Sequence, residues 1–250
     1  MTTNKVIPIV LAIGISFLFL ESCKKSSNTD TNTQSGPTVT DIDGNVYHTV
    51  NIGTQTWMVE NLKVKHYRNG DLIASGFAGL KKISDTTGMI YAYNNSEANV
   101  EVYGWLYNWY AVADGRNVAP IGWHVPSDAD YTKLVASLGG NYLMANGDTM
   151  AGGEMKESGV SHWGNVNYPN VGATNTSGWT GLPGGFHDQG SVFDGLGNYG
   201  MWWTTTTLEG ANPLSWAYTL RLSCTDKKAL RGTWFKTSAY SIRCLSDKSH

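Results

Sequence analysis

The chain has 250 residues, 18 Lys and Arg against 20 Asp and Glu, and a formal net charge of −2. Only 15% of its residues are charged and no basic run occurs, which argues against a nucleic-acid partner. Ten tryptophans and thirteen tyrosines exclude a disordered chain, and with 29 glycines they point to short strands joined by tight turns.

The first segment, "MTTNKVIPIVLAIGISFLFLESC", opens with Lys5 and then runs apolar from Val6 to Leu20. A charged start followed by about fifteen apolar residues has the proportions of a secretory signal. A spanning helix needs roughly twenty, and Glu21 interrupts the run too soon. Leu20 and Ser22 stand at −3 and −1 before Cys23, which resembles the bacterial lipobox; Glu21 is unusual at −2. The expectation is a signal peptide over residues 1–22, removed to leave a lipidated Cys23. A triacylated terminus holds a membrane stably, so the expected partner is a lipid anchor in a bacterial membrane. Processing leaves Cys224 and Cys244, an even number in an oxidising compartment.

Residues 23–38, including "KKSSNTDTNTQSGP", contain no large apolar side chain to repay ordering. They read as a flexible tether with an r.m.s. span of about 20 Å. Residues 39–247 keep one composition without a second linker and read as one domain.

Within that domain Asp43-Gly44 and Asn69-Gly70 are signatures of two-residue type I′ hairpins, which need positive φ at both positions. Val46, His48, Val50 and Ile52 alternate with Tyr47, Thr49 and Asn51, the period of a strand, and "TWMVENL" follows after a turn at Gly53 to Gln55. "YGWLYNWYAV", Tyr103 to Val112, reads as a buried helix, with strand left open by its period. The last third has four strand candidates: "GWTGLPGGF", "YGMWWTTTT", "WAYTLRLSC" and "YSIRCLSD".

"GWHVPSDADY" puts a histidine, a serine and two aspartates within ten positions, as a catalytic or metal cluster would. Helix initiation explains them better. Ser127 and Asp130 have the spacing of a capping box, and both aspartates fall where the helix dipole favours negative charge. Tyr131, Leu134, Val135 and Leu138 then recur on one helical face, and Gly139-Gly140 ends it. His124 reads as a structural, hydrogen-bonding residue beside a buried tryptophan.

These blocks together, with "TVTDIDGNVYHTVNIGTQTWMVENLKVKHYRNGD", "GATNTSGWTGLPGGF" and "GNYGMWWTTT", resemble the Fibrobacter succinogenes major paralogous domain over roughly Val39 to Asp247. The resemblance implies a surface lipoprotein of Bacteroidetes or related bacteria, lipid-anchored at the cell envelope in the outer membrane, with no established catalytic activity. It also implies a distant likeness to C-type-lectin-like and formylglycine-generating-enzyme-like folds. "LRGTWF" followed by "SIRC" is similar to the ending of the latter. The expected fold is therefore α+β: mostly antiparallel β, many loops, one or two short helices, and C-type-lectin-like. Many members carry a cysteine where Ala119 stands here, so the resemblance makes Cys224 the expected disulfide partner of Cys244.

Other chemistries lack their residues. "DIDGN" imitates a calcium loop, but its twelfth position is Ile52 rather than glutamate, so a hairpin turn is expected. The sequence has no zinc motif, nucleophile elbow or phosphate loop, so no metal and no cofactor are expected. Glu154, Glu157 and Glu209 could serve a glycosidase only at a set separation, which sequence does not place. The expectation is a non-catalytic binding module for an extracellular carbohydrate or surface protein. Its candidate ligand-binding residues are Phe186, Asp188, Phe193 and Tyr199, set among the polar, glycine-rich turns of "PGGFHDQGSVFDGLGNYG". A structural or assembly protein of the envelope is the alternative, and an enzyme acting on polysaccharide ranks third.

Overall fold

The computed structural model of the protein describes residue 1 and residues 37–76, 86–142, 150–164, 168–188, 192–210 and 215–248. The signal segment after its first residue, Cys23, and the tether to residue 36 lie outside them. In chain order come β1 (Thr38–Thr40), β2 (Val46–Ile52), β3 (Gln55–Met58), β4 (Ala74–Ser75), β5 (Met89–Tyr91) and α1 (Glu97–Tyr103). Next are β6 (Leu106–Asn108), α2 (Trp109–Val112), β7 (Trp123–His124), α3 (Asp128–Ser137) and α4 (Ala151–Met155). The last part holds β8 (Gly184–His187), β9 (Phe193–Leu196), β10 (Tyr199–Thr207), β11 (Trp216–Ser223), β12 (Leu230–Phe235), β13 (Ala239–Tyr240) and β14 (Leu245–Ser246). The described strands pair in the orders β1-β2-β3-β14-β7, β10-β11-β12 and β4-β5-β6-β13-β8-β9. Their pairings are antiparallel apart from β4 with β5. The fold is α+β, dominated by antiparallel strands with a few short helices.

Local chemistry explains several elements and corrects others. Gly44 and Gly70 have φ of 83° and 92°, but Asp43 and Asn69 keep negative φ, so neither pair forms a type I′ turn. Each sits in a wider loop closed by a backbone bond, Asp41 N to Asn45 O at 3.0 Å and Tyr67 N to Asp71 O at 2.8 Å. In the first loop the Asp41 carboxylate accepts from the Asp43 and Asn45 amides and from the Tyr47 hydroxyl, giving the loop a side-chain centre. The two-residue hairpin is Gly53-Thr54, across which Ile52 pairs with Gln55. Gly53 alone of the two has positive φ, 58°, the sign pattern of a type II′ turn. A Cβ there would also meet Ser137 Oγ at 2.4 Å.

The alternation read in β2 has Tyr47 rather than Val46 as its inward residue: Tyr47 is fully buried and Val46 is 56% exposed. Tyr47 and Ile52 enter different core clusters, so β2 contributes to both faces of its sheet. "YGWLYNWYAV" is divided between strand β6 and helix α2, because the Asn108 side chain accepts the Ala111 amide and starts a helix there. Of the four late candidates, β10 and β11 form as read. "GWTGLPGGF" becomes strand only at its end, while β12 forms over "LRGTWF". "YSIRCLSD" is divided between β13, which lies between β6 and β8, and β14, which lies between β3 and β7.

The expected Cys224–Cys244 bridge is not formed; both are free, buried thiols. Cys224 packs in the cluster around Trp57 and Trp202, and Cys244 in the cluster around Tyr47 and Trp203. Two unpartnered-by-sequence cations are also buried. Arg243 is fully buried, with its guanidinium 3.9 Å from the Trp179 ring centroid. It donates to Asn61 Oδ1 at 2.8 Å and to the Trp179 carbonyl, and burial lowers its pKa to about 9. The second cation, Lys156, shapes the site below.

Candidate functional site

The four expected ligand residues divide between two faces. In the β8–β9 hairpin Phe186 pairs with Asp194 and His187 with Phe193. Neighbours along a strand point to opposite sides, so Phe186 and Phe193 do not share a face. Phe193 is half-buried against Tyr93 and His187, at 5.3 and 4.9 Å between ring centroids. His187 is itself buried and stacked on Tyr91 at 4.3 Å, and burial lowers its pKa. Asp188 shapes the hairpin: its carboxylate accepts the Val192 amide at 2.9 Å, and its own amide donates to the Val192 carbonyl.

Phe186 and Tyr199 are brought together by Gly195. A Cβ at that position would stand 3.0 Å from both rings, and φ there is 76°. Phe186 is half-buried against the core, whereas Tyr199 is 36% exposed at the start of β10. The Arg221 guanidinium stands 5.8 Å from the Tyr199 ring centroid.

Tyr199 lines a cleft of about 270 Å³ together with Tyr168, Asn198, Cys224 and Thr225. Tyr168 is 50% exposed, so two tyrosines line the cleft with the polar Asn198 and Thr225 and the buried Cys224. The walls come from three distant segments, and Lys156 ties two of them. Its ammonium is fully buried and donates to the carbonyls of Val171 at 3.0 Å, Ser223 at 2.8 Å and Asp226 at 2.7 Å. Burial lowers the Lys156 pKa to about 8, against the opposing charge of Asp226. The Val171 amide bonds the Cys224 carbonyl at 2.8 Å, and the Cys224 amide bonds the Asn198 carbonyl at 2.9 Å, completing the frame.

The Fibrobacter succinogenes major domain matches residues 50–246, from within β2 to the end of β14. The chain belongs to that family. No curated protein and no solved structure matches it.

In this Fibrobacter succinogenes major domain the polar cluster before α3 is structural, as its spacing implies. Ser127 Oγ accepts the Asp130 amide while the Asp130 carboxylate accepts the Ser127 amide, the reciprocal capping box. The Asp128 carboxylate takes Arg231 of β12 at 2.7 and 2.5 Å, a pairing with no local signal in the sequence. His124 stands 3.7 Å from Asp130 and 2.6 Å from Asp247. Those two carboxylates, Asp130 foremost, raise its pKa against desolvation. His124 in turn is the largest influence holding Asp130 down at about 2. Trp123 is half-buried rather than buried. His48, His66 and His162 are likewise joined to Glu60, Asp43 and Glu157. Among the described residues no three His, Cys, Asp or Glu side chains group as metal ligands.

The sequence reading reached Tyr199 through its turn-rich setting. It missed Tyr168, Arg221 and Lys156. Tyr168 and Arg221 carry no periodic signal, and a lysine in "GGEMKES" looks like surface until its three carbonyls are in place.

Proposed function

We propose that this chain is a lipid-anchored envelope protein of the bacterial outer membrane whose domain is a non-catalytic module binding extracellular carbohydrate. The observation that carries the binding reading is the cleft with exposed tyrosines Tyr168 and Tyr199 beside Asn198 and Thr225. Aromatic faces suit the C–H faces of sugar rings, while the amide and hydroxyl groups suit sugar hydroxyls. The signal-like segment ending at Cys23 supports export and anchoring. The "LRGTWF" and "SIRC" ending supports a remote kinship with C-type-lectin-like folds.

A glycan array probed with the detergent-extracted mature chain tests the reading, followed by calorimetry on the strongest glycan. Tyr199→Ala and Tyr168→Ala should each weaken binding by about fivefold, the loss of roughly 1 kcal/mol of stacking. Full affinity in both folded variants would remove the cleft from the account.

A second reading, assembly at the envelope, is favoured by a groove of about 270 Å³ in which Ile42, Val118, Ala119, Pro120 and Ile121 stand beside Thr40, Asp41 and Arg68. Ile42 and Ile121 are 52% and 84% exposed there. Self-association lost in Ile121→Ser, with glycan binding absent, would favour it.

A further inference from the structure

The chain has five arginines, and four have their donors taken up within the domain. Arg68 bonds the carbonyls of Ala119, Pro120 and Trp123. Arg116 bonds Asp114 and Asp71, Arg231 bonds Asp128, and Arg243 bonds Asn61 and backbone carbonyls. Arg221 differs. Among the described residues its guanidinium has no hydrogen-bond or ion-pair partner, and its Nε is buried without one. The Nη groups are not enclosed with it, and as charged donors without an acceptor they are free to meet an anion.

Two lysines belong to segments next to the cleft. Lys156 beneath it donates to carbonyls only, and the stem of Lys227 lies along Gly172, 3.1 Å from where a Cβ would be. Among the described residues neither lysine is ion-paired. The nearby carboxylates are partly occupied: Asp226 accepts the Lys228 amide, Asp194 accepts the Gly195 amide, and Glu157 holds His162. A chain of net charge −2 thus keeps the Arg221 guanidinium, unpaired among the described residues, at the ring of Tyr199, which lines the cleft.

We infer that the Tyr168–Tyr199 cleft takes an acidic glycan, bearing carboxylate or sulfate groups, and that the Arg221 guanidinium reads the anion. The planar fork of a guanidinium matches both groups bidentately, and its position at the Tyr199 ring lets one sugar residue stack while its acid group pairs. The inference rests on the carbohydrate reading above.

Calorimetry on the mature chain with four probes tests it: tetragalacturonate, galactotetraose, dextran sulfate and uncharged dextran. At least one anionic probe should bind about tenfold or more tighter than its uncharged counterpart, and the identity of that probe separates carboxylate from sulfate. Arg221→Gln should erase that preference, Arg221→Lys should lose part of it, and Lys227→Gln should cost less than about threefold, as an exposed charge does. Added salt should weaken anion binding to the wild type more than to Arg221→Gln, which reads the same contact without a stability comparison. Equal binding of charged and uncharged probes, or an anion preference intact in Arg221→Gln, would overturn the inference and leave the carbohydrate reading standing. Binding by none of the four also overturns it, and the glycan array then decides the carbohydrate reading separately.

Discussion

Replacing Lys156 by methionine keeps the length of the buried stem and removes its charge and donors. Three carbonyls, of Val171, Ser223 and Asp226, then lose their partner. Each buried acceptor left unsatisfied costs about 1–3 kcal/mol, so the gross loss is about 3–9 kcal/mol. Against this, the wild type bears the cost of burying an ammonium. Burial lowers the Lys156 pKa from 10.5 to about 8, and at ~1.4 kcal/mol per unit that cost is about 3 kcal/mol. The expected net effect at pH 7 is a destabilisation of about 3 kcal/mol, a sizeable part of a typical domain's stability.

The sign with pH follows from linkage. The folded pKa lies below the unfolded one, so the unfolded chain binds the extra proton between pH 8 and 10.5. The burial cost is fully present below pH 8 and is relieved as pH rises through that window. The gap between wild type and Lys156→Met should therefore widen from pH 7 to pH 10. Urea unfolding followed by tryptophan fluorescence at both pH values measures it. Equal stability at pH 7, or parallel stability curves across the window, would refute the reasoning.

Four other outcomes are expected. Ser127→Ala removes the capping oxygen of α3 and should cost about 1 kcal/mol in the same unfolding assay, with glycan binding unchanged. The Asp130 carboxylate, held down at about 2 with His124 as the main cause, contributes stability that is present above pH 3.8 and lost as pH falls toward 2. The raised His124 pKa works oppositely, its contribution being full below pH 6.5 and lost as pH rises through the folded value. His124→Gln should accordingly flatten the stability profile at both ends, as acid and base unfolding curves would show. Thiol titration of denatured, unreduced mature protein should find both Cys224 and Cys244 reactive, whereas the folded protein should react slowly because both are buried; no free thiol would contradict the fold. Intact-mass analysis of membrane-extracted protein should show a chain beginning at Cys23 with acyl mass added, and a different, unlipidated terminus would remove the anchor from the proposal.

Features written in short-range spacing were legible. The capping box needs only Ser127 and Asp130 three residues apart, and β10 needs only a run of aromatic and threonine residues. Family membership was likewise carried by contiguous blocks. β12 was not legible as a strand, because its glycine and arginine weaken any propensity signal; the register against β11 makes it one. Gly232 and Arg231 are tolerated there through neighbours, Thr219 and Asp128, that lie far along the chain.

The candidate site shows the same division. Tyr199 was found because its turn-rich surroundings are local in sequence. Tyr168 and Thr225 are held beside it by contacts distant in sequence: Lys156 binds the carbonyls of Val171, Ser223 and Asp226, and backbone bonds join Val171 to Cys224 and Cys224 to Asn198. The sequence by itself determined the fold class, the start of α3, the long strands, and a cysteine-bearing signal-like segment, since each depends on residues within a few positions. The tertiary structure alone decided that the two thiols stay apart in different clusters, that the last strands enter separate sheets, and that among the described residues the Arg221 guanidinium has no hydrogen-bond partner. Each of these depends on pairings between residues tens of positions apart, where loop closure and packing, not local propensity, choose the neighbour.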